Sequence, residues 1–312
     1  MQQFFNNKSI LNQSINWSLA KNKSVELVIK REDLLHPEVS GNKFRKLKYN
    51  LIQAKADDFK TLLTFGGAFS NHIAATAAAG HLFGFKTIGV IRGDELGLNL
   101  QQTLMQNPTL NLAHKYGMTF KFVSRTDYRL KQTPDFAQSL HDEFGDFYEV
   151  PEGGTNHLAV SGCEEILKPQ DDVFDYICVA VGTGGTISGL VNASKNHQKV
   201  LGFPALKGDF LAHDINKLIK PKANWKLITD YHFGGYAKVS KDLIIFMNAF
   251  KEETGVTLDA VYTGKMLFGL ADLIQNNYFE KGSKILVIHT GGLQGNIGMN
   301  PLLRKKYNIE IF

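Results

Sequence analysis

The sequence predicts an α/β protein in which parallel sheets are covered by helices on both faces. Short apolar runs typical of strands alternate along the chain with longer amphipathic runs typical of helices. Several of the apolar runs end in glycine clusters. The 312 residues, 43% of them hydrophobic, are enough for one large or two medium domains with a substantial core.

The individual elements follow from length, composition and periodicity. The predicted strands are, in order, Glu26–Lys30, 61–65, 87–91, Thr119–Val123, 174–181, 200–205, 226–231 and 284–289. The predicted helices are 44–54, Asn71–Phe83, 242–250 and 266–274. In the first of these helices, Phe44, Leu47, Leu51 and Ala54 fall on one face, which we expect to be buried.

Glycine clusters follow strand-like runs at 66–67, 153–154, 182–185 and 291–292. In open α/β sheets, ligands bind beyond the carboxyl ends of the strands. One glycine pair after a strand is usually only a turn. Four clusters predict one crevice that is lined by several loops.

The overall charge and the cysteines exclude several functions. The net charge of +5 is spread along the chain without a basic run interleaved with aromatics, so we expect no nucleic-acid binding. No apolar run reaches the roughly 18 residues of a membrane span, and residues 1–10 lack a signal-peptide core. Cys163 and Cys178 lack metal-ligand spacing, which predicts buried thiols and no metal site. We therefore expect a soluble cytoplasmic protein.

The segment 40–47 places Lys43 where a helix would begin, just after Gly41. A lysine at a helix start is commonly solvated. A catalytic lysine needs a lowered pKa, because only its neutral amine attacks an aldehyde, and burial or neighbouring cations such as Arg45 and Lys46 lower it. The segment alone does not decide between the two interpretations.

The segment 66–72 follows a predicted strand and contains Ser70, Asn71 and His72. Ser70 falls at the N-cap of the next helix, where serine is common for structural reasons. The same position, with the free N–H groups of the helix start, suits a substrate carboxylate. Asn71 would donate a hydrogen bond from its amide to a phenolate-like oxygen. His72 could carry a proton or could be a partly buried polar residue, and we favour the second interpretation.

The segment 181–189 is a strand, a glycine loop and a helix, an arrangement that binds phosphate through backbone N–H groups. The loop residues are Gly182, Thr183, Gly184, Gly185 and Thr186. Ile187 stands where a dinucleotide motif has its third glycine, and the lysine of a Walker A loop is missing. A phosphate monoester therefore fits better than a dinucleotide or ATP, and a nucleotide-binding module is the weakest alternative.

Taken together, residues 40–47, 66–72, 262–265 and 289–292 resemble the family of 1-aminocyclopropane-1-carboxylate (ACC) deaminases and D-cysteine desulfhydrases, in order and in approximate spacing. The resemblance implies a two-domain, tryptophan synthase β-like α/β fold (fold type II) with pyridoxal 5′-phosphate (PLP) between the domains. It implies a large PLP-binding domain at 1–47 and 151–312 with a small domain inserted at 48–150. It also implies a homodimer.

The resemblance assigns roles to matching residues. Lys43 matches the lysine that holds PLP as a Schiff base, and Ser70 matches a serine that is a nucleophile or carboxylate binder. Asn71 matches the asparagine beside the O3′ atom of PLP, and residues 184–186 match the phosphate loop.

Tyr236 and Tyr262 match the two active-site tyrosines of the family, although tyrosines are more often half-buried core residues. The ring-opening deaminases have a glutamate after the second tyrosine, where it meets the pyridine nitrogen, and this chain has Thr263. A hydroxyl from Thr263 or Thr290 would leave that nitrogen largely neutral and the electron sink weaker. Thr290 alone could also cap a turn.

We therefore expect a PLP-dependent deaminating lyase with a small amino-acid substrate. The favoured reaction is D-cysteine desulfhydrase-like α,β-elimination, because elimination of a thiolate needs a weaker sink than ring opening. The alternatives are an ACC deaminase, which forms 2-oxobutyrate and ammonia, and a PLP-binding carrier or regulatory protein with little turnover.

Overall fold

The computed structural model describes residues 1–6 and 10–312. Its strands are β1 (Asn12–Ser14), β2 (Glu26–Lys30), β3 (Thr61–Gly67), β4 (Lys86–Arg92), β5 (Thr119–Val123), β6 (Tyr148–Val150), β7 (Tyr176–Val181), β8 (Lys199–Pro204), β9 (Trp225–Leu227) and β10 (Lys284–Ile288). They form a six-stranded sheet in the order β1-β2-β10-β7-β8-β9 and a four-stranded sheet in the order β5-β4-β3-β6. All neighbouring strands are parallel except β1 and β2. The predicted α/β class with parallel sheets and flanking helices is confirmed.

Helices connect the strands and cover the sheets. They are α1 (Gln2–Asn6), α2 (Ser18–Asn22), α3 (Asn42–Ala56), α4 (Asn71–Phe83), α5 (Leu100–Gln106), α6 (Pro108–Lys115), α7 (Pro134–Phe144), α8 (His157–Glu164), α9 (Gly185–Ala193), α10 (Phe210–Asn216), α11 (Lys241–Thr254), α12 (Thr263–Gln275) and α13 (Gln294–Tyr307). Among the described residues, no helix combines the length and the apolar character that a membrane span requires.

Helix α3 has the predicted apolar face, and all four residues of that face are fully buried. They pack in one cluster with Leu62 of β3, Ala75 of α4 and Val150 of β6. The helix that begins beside Lys43 is therefore fixed against the smaller sheet.

Most predicted strands and helices are present with ends shifted by a few residues. The strand predicted at 226–231 shrinks to β9, because Tyr231 leaves the sheet edge, packs over Gly269 of α12 and donates to Asp272 at 2.5 Å. The three-residue strands β1 and β6 were not predicted, since they are too short to show an alternating pattern.

The predicted domain boundary after residue 150 coincides with the end of the smaller sheet. The predicted boundary after residue 47 falls inside a helix. Strands β3 to β6, which end at Val150, form the smaller sheet, and the larger sheet takes β1, β2 and β7 to β10. A boundary after residue 47, however, would cut the continuous helix α3. The division at 1–47, 48–150 and 151–312 stays a prediction.

The carboxyl ends of strands from both sheets meet at one cavity of about 710 Å³. Its walls include Gly67, Gly153, Gly182 and Gly291, one from each glycine cluster in the sequence. The structure thus brings the four clusters to the walls of one cavity.

Candidate active site

The cavity collects most of the candidate residues. Those that line it are Lys43, Ser70, Asn71, Gly182, Thr183, Gly184, Thr186, Tyr236, Tyr262 and Thr290. Gly185 and Thr263 do not line it. Gly185 lies just behind the wall, where a side chain would collide with Thr155 and with the stem of Lys46.

Lys43 is placed by a close contact between the start of α3 and the end of β10. Gly41 precedes the helix with φ of +60°, and a Cβ there would lie 1.9 Å from the carbonyl oxygen of Thr290. That carbonyl accepts the N–H of Asn42 at 3.2 Å. Only glycine allows both the left-handed backbone and this approach, so the lysine is fixed against the last strand of the larger sheet.

The Lys43 ammonium is poorly stabilised. Its Nζ donates to the carbonyl oxygen of Gly153 at 3.1 Å. Burial, and next the charge of Lys46, hold the pKa of Lys43 well below its usual value. Arg45, the other cation expected to act on it, instead forms a two-point ion pair with Glu32 at 2.9 and 3.0 Å. Lys43 is therefore suited to react as a neutral amine.

Lys46 is a site residue that the sequence did not reveal beyond its charge. Its Nζ donates to the carbonyl of Gly153 at 3.0 Å, to Thr155 Oγ1 at 2.8 Å and to Thr183 Oγ1 at 3.3 Å. Burial lowers the pKa of Lys46 to about 8. The available signal was its spacing of three residues from Lys43, which places both lysines on one helix face.

The glycine loop of 182–186 joins β7 to α9. Gly184 is the N-cap of α9 with φ of +86°, and Asn42 Nδ2 donates to Thr186 Oγ1 at 2.9 Å, so the loop is tied to the start of α3. The first N–H groups of a helix have no partner within it. Together with Lys46, they form a site that suits a phosphate group.

Ser70 occupies the N-cap position of α4, as the sequence predicts, but its side chain makes no capping hydrogen bond. It lines the cavity together with Asn71, whose Oδ1 atom is buried and has no partner among the described residues. Gly292, on the loop after β10, leaves room for that amide, since a Cβ there would lie 2.8 Å from Asn71 Nδ2. Both side chains are thus available to a ligand.

His72 is buried, and it also lines the cavity, where its Nδ1 atom has no partner among the described residues. Its Nε2 lies 2.8 Å from Thr64 Oγ1, which donates to the carbonyl of Val150 at 2.7 Å. Burial and the nearby lysines keep the pKa of His72 well below its usual value. The imidazole is therefore neutral and ties α4 to the smaller sheet.

Tyr236 and Tyr262 line the cavity side by side and pack edge to face, with ring centroids 6.3 Å apart. Burial, and then Tyr236 and Asp259, raise the pKa of Tyr262 well above its usual value. Burial also raises the pKa of Tyr236. Both phenols are therefore protonated at neutral pH, and each can donate a proton.

The loop that carries Tyr236 is held by Lys265, which the sequence analysis did not single out. Lys265 is buried in α12, and its Nζ donates to the carbonyls of His232 at 2.9 Å and Gly235 at 2.8 Å. Phe233 and Ala237 on either side have positive φ, a strained conformation for residues with side chains. The lysine therefore stabilises a loop that has little intrinsic preference for its shape.

Thr263 does not reach the cavity, which corrects the expectation that it could meet a cofactor ring. It is fully buried, and its hydroxyl donates to Asp259 Oδ1 at 2.7 Å. Asp259 also accepts the N–H groups of residues 261–263, so both side chains serve the start of α12. Thr290 does line the cavity and is the better candidate for a ring nitrogen.

The two cysteines and the described acidic and histidine side chains provide no metal site. Cys163 and Cys178 are both buried and free, and no group of three or more potential metal ligands occurs within residues 1–6 and 10–312.

Comparisons with known proteins agree with a cavity that is lined by Lys43 and by a loop that suits a phosphate. Residues 15–291 match the family model described as pyridoxal-phosphate dependent enzyme. The chain is 32% identical over 295 residues, 86% of its length and 73% of the relative's, to the bifunctional D-cysteine desulfhydrase/1-aminocyclopropane-1-carboxylate deaminase, mitochondrial, of Arabidopsis thaliana. It is 26% identical over 299 residues, 89% of its length and 90% of the relative's, to a D-cysteine desulfhydrase of Klebsiella pneumoniae.

A solved structure described as an ACC deaminase homologue superimposes with a TM-score of 0.80 at 28% identity. It covers 93% of this chain and 91% of its own. The similarity thus extends over both sheets.

Proposed function

The chain belongs to the family of pyridoxal-phosphate-dependent enzymes, and on that premise we propose that it is a deaminating lyase that converts D-cysteine and water to pyruvate, sulfide and ammonia. The observation that carries the proposal is the position of Lys43: a buried amine of lowered pKa on the cavity wall, beside a loop that suits a phosphate.

The residues of the cavity fit PLP. Lys43 would bind its aldehyde covalently, and Lys46, with the N–H groups and hydroxyls of 182–186, would hold its phosphate. The unpartnered amide of Asn71 suits the phenolate oxygen of the cofactor, because a flip of the amide brings its NH₂ group to that position. Thr290 would hydrogen-bond the ring nitrogen. When bound, the cofactor supplies an electron sink for the pair left at Cα.

The chain itself binds the substrate and moves protons. The N–H groups at the start of α4 and the hydroxyl of Ser70 hold the substrate carboxylate. Lys43, as a neutral amine, removes the proton from Cα. The raised pKa of Tyr262 keeps its phenol protonated, so the phenol can donate a hydrogen bond to the leaving sulfur, and Tyr236 orients Tyr262 through a hydrogen bond.

The preference for D-cysteine rests on the partner of the ring nitrogen. A hydroxyl such as that of Thr290 does not stabilise a protonated nitrogen as a carboxylate does. Release of a thiolate needs less electron withdrawal than opening of a cyclopropane ring. Thr263 is not available to the ring nitrogen, because its hydroxyl donates to Asp259.

The test is a panel of D- and L-amino acids and ACC, with detection of keto acids. We expect pyruvate and sulfide from D-cysteine at a higher rate than 2-oxobutyrate from ACC. The second candidate is an ACC deaminase, which the bifunctional name of the Arabidopsis relative favours. Faster turnover of ACC would establish it instead, and a PLP-loaded protein that forms no keto acid from the panel would be a carrier or regulator.

We also propose a cytoplasmic homodimer, on the family resemblance and the composition alone. Light scattering of the purified protein tests the oligomeric state. Fractionation of cells that produce it tests the location.

A further inference from the structure

Arg92 is a cavity residue to which the reaction above gives no role. It is the last residue of β4, and it pairs in register with Gly67 of β3. Its Nη2 atom lies 3.6 Å from the position that a Cβ of Gly67 would occupy. The guanidinium therefore stands on the cavity wall one strand away from the turn that leads to Ser70.

Arg92 has no counter-ion among the described residues, because the nearby carboxylates are paired with other cations. Glu95 binds Arg125 through two hydrogen bonds of 2.6 and 3.1 Å. Glu152 pairs with Lys131 at 3.3 Å. Arg92 instead lies over the ring of Tyr128, with its guanidinium carbon 5.7 Å from the ring centroid.

Arg92 has an exposed side chain that lines the cavity and lies over an aromatic ring. Tyr128 is almost fully buried, so the ring beneath the guanidinium is fixed, and Lys131 contacts the same ring at 4.8 Å. Glu152 is paired with Lys131, and Glu149, which also lines the cavity, forms no ion pair with Arg92. The charge of Arg92 also reaches the Tyr236 hydroxyl, whose pKa it lowers against the stronger effect of burial.

We propose that Arg92 forms an anion subsite, and that the preferred substrates are β-substituted alanines whose substituent carries a negative charge. The inference rests on the proposed function, in which Ser70 and the start of α4 already bind the α-carboxylate. The planar guanidinium suits a carboxylate or similar anion, which it can bind through two parallel hydrogen bonds. D-Cysteine is the smallest member of this class, in its thiolate form.

The subsite is separate from the α-carboxylate position. The guanidinium lies beside Gly67, with Nη2 3.6 Å from the position of a Cβ there, and Ser70 follows three residues later at the start of α4. A side-chain anion one or two bonds beyond Cβ would reach the guanidinium while the α-carboxylate stays at Ser70.

The test compares charged and neutral ligands of equal shape on the purified holoenzyme. Dissociation constants of aspartate and asparagine, and of glutamate and glutamine, are measured in both enantiomers by isothermal titration calorimetry. We expect at least one acidic ligand to bind about tenfold more tightly than its amide, the scale of one charge-assisted hydrogen bond, with a preference that shrinks as salt rises.

Substitution then assigns the preference to Arg92. Arg92→Gln is expected to remove it, and Arg92→Lys to retain part of it. Arg129→Gln is the control, since that exposed arginine lies outside the cavity and its removal frees no carboxylate beside Arg92, and it should leave the preference intact. The proposal is overturned if the wild-type enzyme binds acid and amide equally, if the preference persists in Arg92→Gln, or if that variant weakens both ligands alike, which would place Arg92 at the α-carboxylate.

The two proposals fail separately. Absence of keto acid from the whole panel, with the acid preference present, would overturn the lyase and leave the anion subsite. Keto-acid formation without the preference would overturn the subsite and leave the lyase.

Discussion

Lys43 and Lys46 share one acceptor, the carbonyl oxygen of Gly153, at 3.1 and 3.0 Å. Two ammonium groups around one uncharged oxygen repel each other, and no described carboxylate pairs with either Nζ. This repulsion is absent when one of the two amines is neutral. Since the pKa of Lys43 is the more strongly lowered, that residue supplies the neutral amine and Lys46 the cation.

Replacing Lys43 with alanine is expected to abolish the covalent link to the cofactor. The absorbance band near ~420 nm, the usual sign of a PLP–lysine bond, should disappear, and keto-acid formation should fall about 10³-fold because the proton acceptor at Cα is also lost. Lys55→Ala, on the exposed side of the same helix, is the control and should retain both signals. Survival of the band in the Lys43 variant would contradict the assignment.

Lys46→Met is expected to weaken PLP binding about 10- to 100-fold, the loss of one charge-assisted hydrogen bond. The pH dependence has a definite sign. With a pKa of about 8 before the cofactor binds, the ammonium is present below pH 8 and is lost above it, and a bound phosphate raises that pKa again.

Wild-type affinity for PLP should therefore be level between pH 7 and 8 and fall above pH 8. The variant should lack this fall. Equilibrium dialysis of PLP across pH 7 to 9.5 measures both, and an equal decline in the two proteins would show that another group is responsible.

The sequence predicts where Lys43 and Ser70 lie, after a glycine turn and at a helix start, and the family resemblance supplies their roles. It does not distinguish a buried lysine from a solvated one, so Lys46 and Lys265 were missed. Thr263 was considered, beside Thr290, for the ring nitrogen because it stands where the ring-opening deaminases have a glutamate, but such a match does not give the direction of a hydroxyl. Asp259, four residues earlier, accepts that hydroxyl at 2.7 Å.

At the level of elements, the site depends on loops whose shapes come from distant contacts. The loop with Tyr236 is the clearest case, because buried Lys265 of α12 donates to two of its carbonyls. The same helix begins next to Tyr262. One element therefore positions both tyrosines.

Lys265→Met is expected to leave these two carbonyls without their donor and to displace Tyr236. We expect kcat/KM to fall about tenfold, equivalent to about 1.4 kcal/mol, while the affinity for PLP stays unchanged because Lys43 and the glycine loop are not touched. Lys241→Met, at an exposed position of α11, is the control. A parallel loss of PLP affinity would mean that the substitution disturbs the fold rather than this loop.

Element prediction succeeded for part of the chain, because two long helices, α7 and α13, were not predicted. The strand Thr119–Val123 and the helix Asn71–Phe83 have the predicted bounds. The edge strand β9 was predicted too long because the sequence does not show that Tyr231 leaves the sheet to pack over Gly269. Apolar pattern thus locates elements, and side-chain contacts between elements decide where they end.

For the whole molecule, one buried ion pair ties the N-terminal strands to the rest of the larger sheet. Lys30 Nζ lies 2.7 Å from Asp171 Oδ2, and both side chains are 1% exposed. Asn12 Nδ2 donates to the other oxygen of Asp171 at 2.7 Å. The pair therefore joins β1 and β2 to the segment that leads into β7.

Lys30→Met is expected to lower the free energy of unfolding by about 3–5 kcal/mol, because it leaves a buried carboxylate without its cation. The double variant Lys30→Met/Asp171→Leu should recover a large part of that loss, since it removes the isolated charge. Lys195→Met, which breaks an exposed pair with Asp172, should change stability by less than about 1 kcal/mol. Urea unfolding measures all three, and a Lys30 variant as stable as the Lys195 variant would contradict the prediction.

The position of β10 has a consequence for how the molecule is made. It is the last strand in the chain, yet it lies in the middle of the larger sheet between β2 and β7, and the carbonyl that follows it holds the helix of Lys43. A nascent chain that has left the ribosome only as far as residue 280 has two unpaired strand edges and an unanchored lysine. Such edges are the kind of surface that chaperones shield during synthesis. We therefore expect the cofactor to bind only after β10 has been synthesised and has joined the sheet.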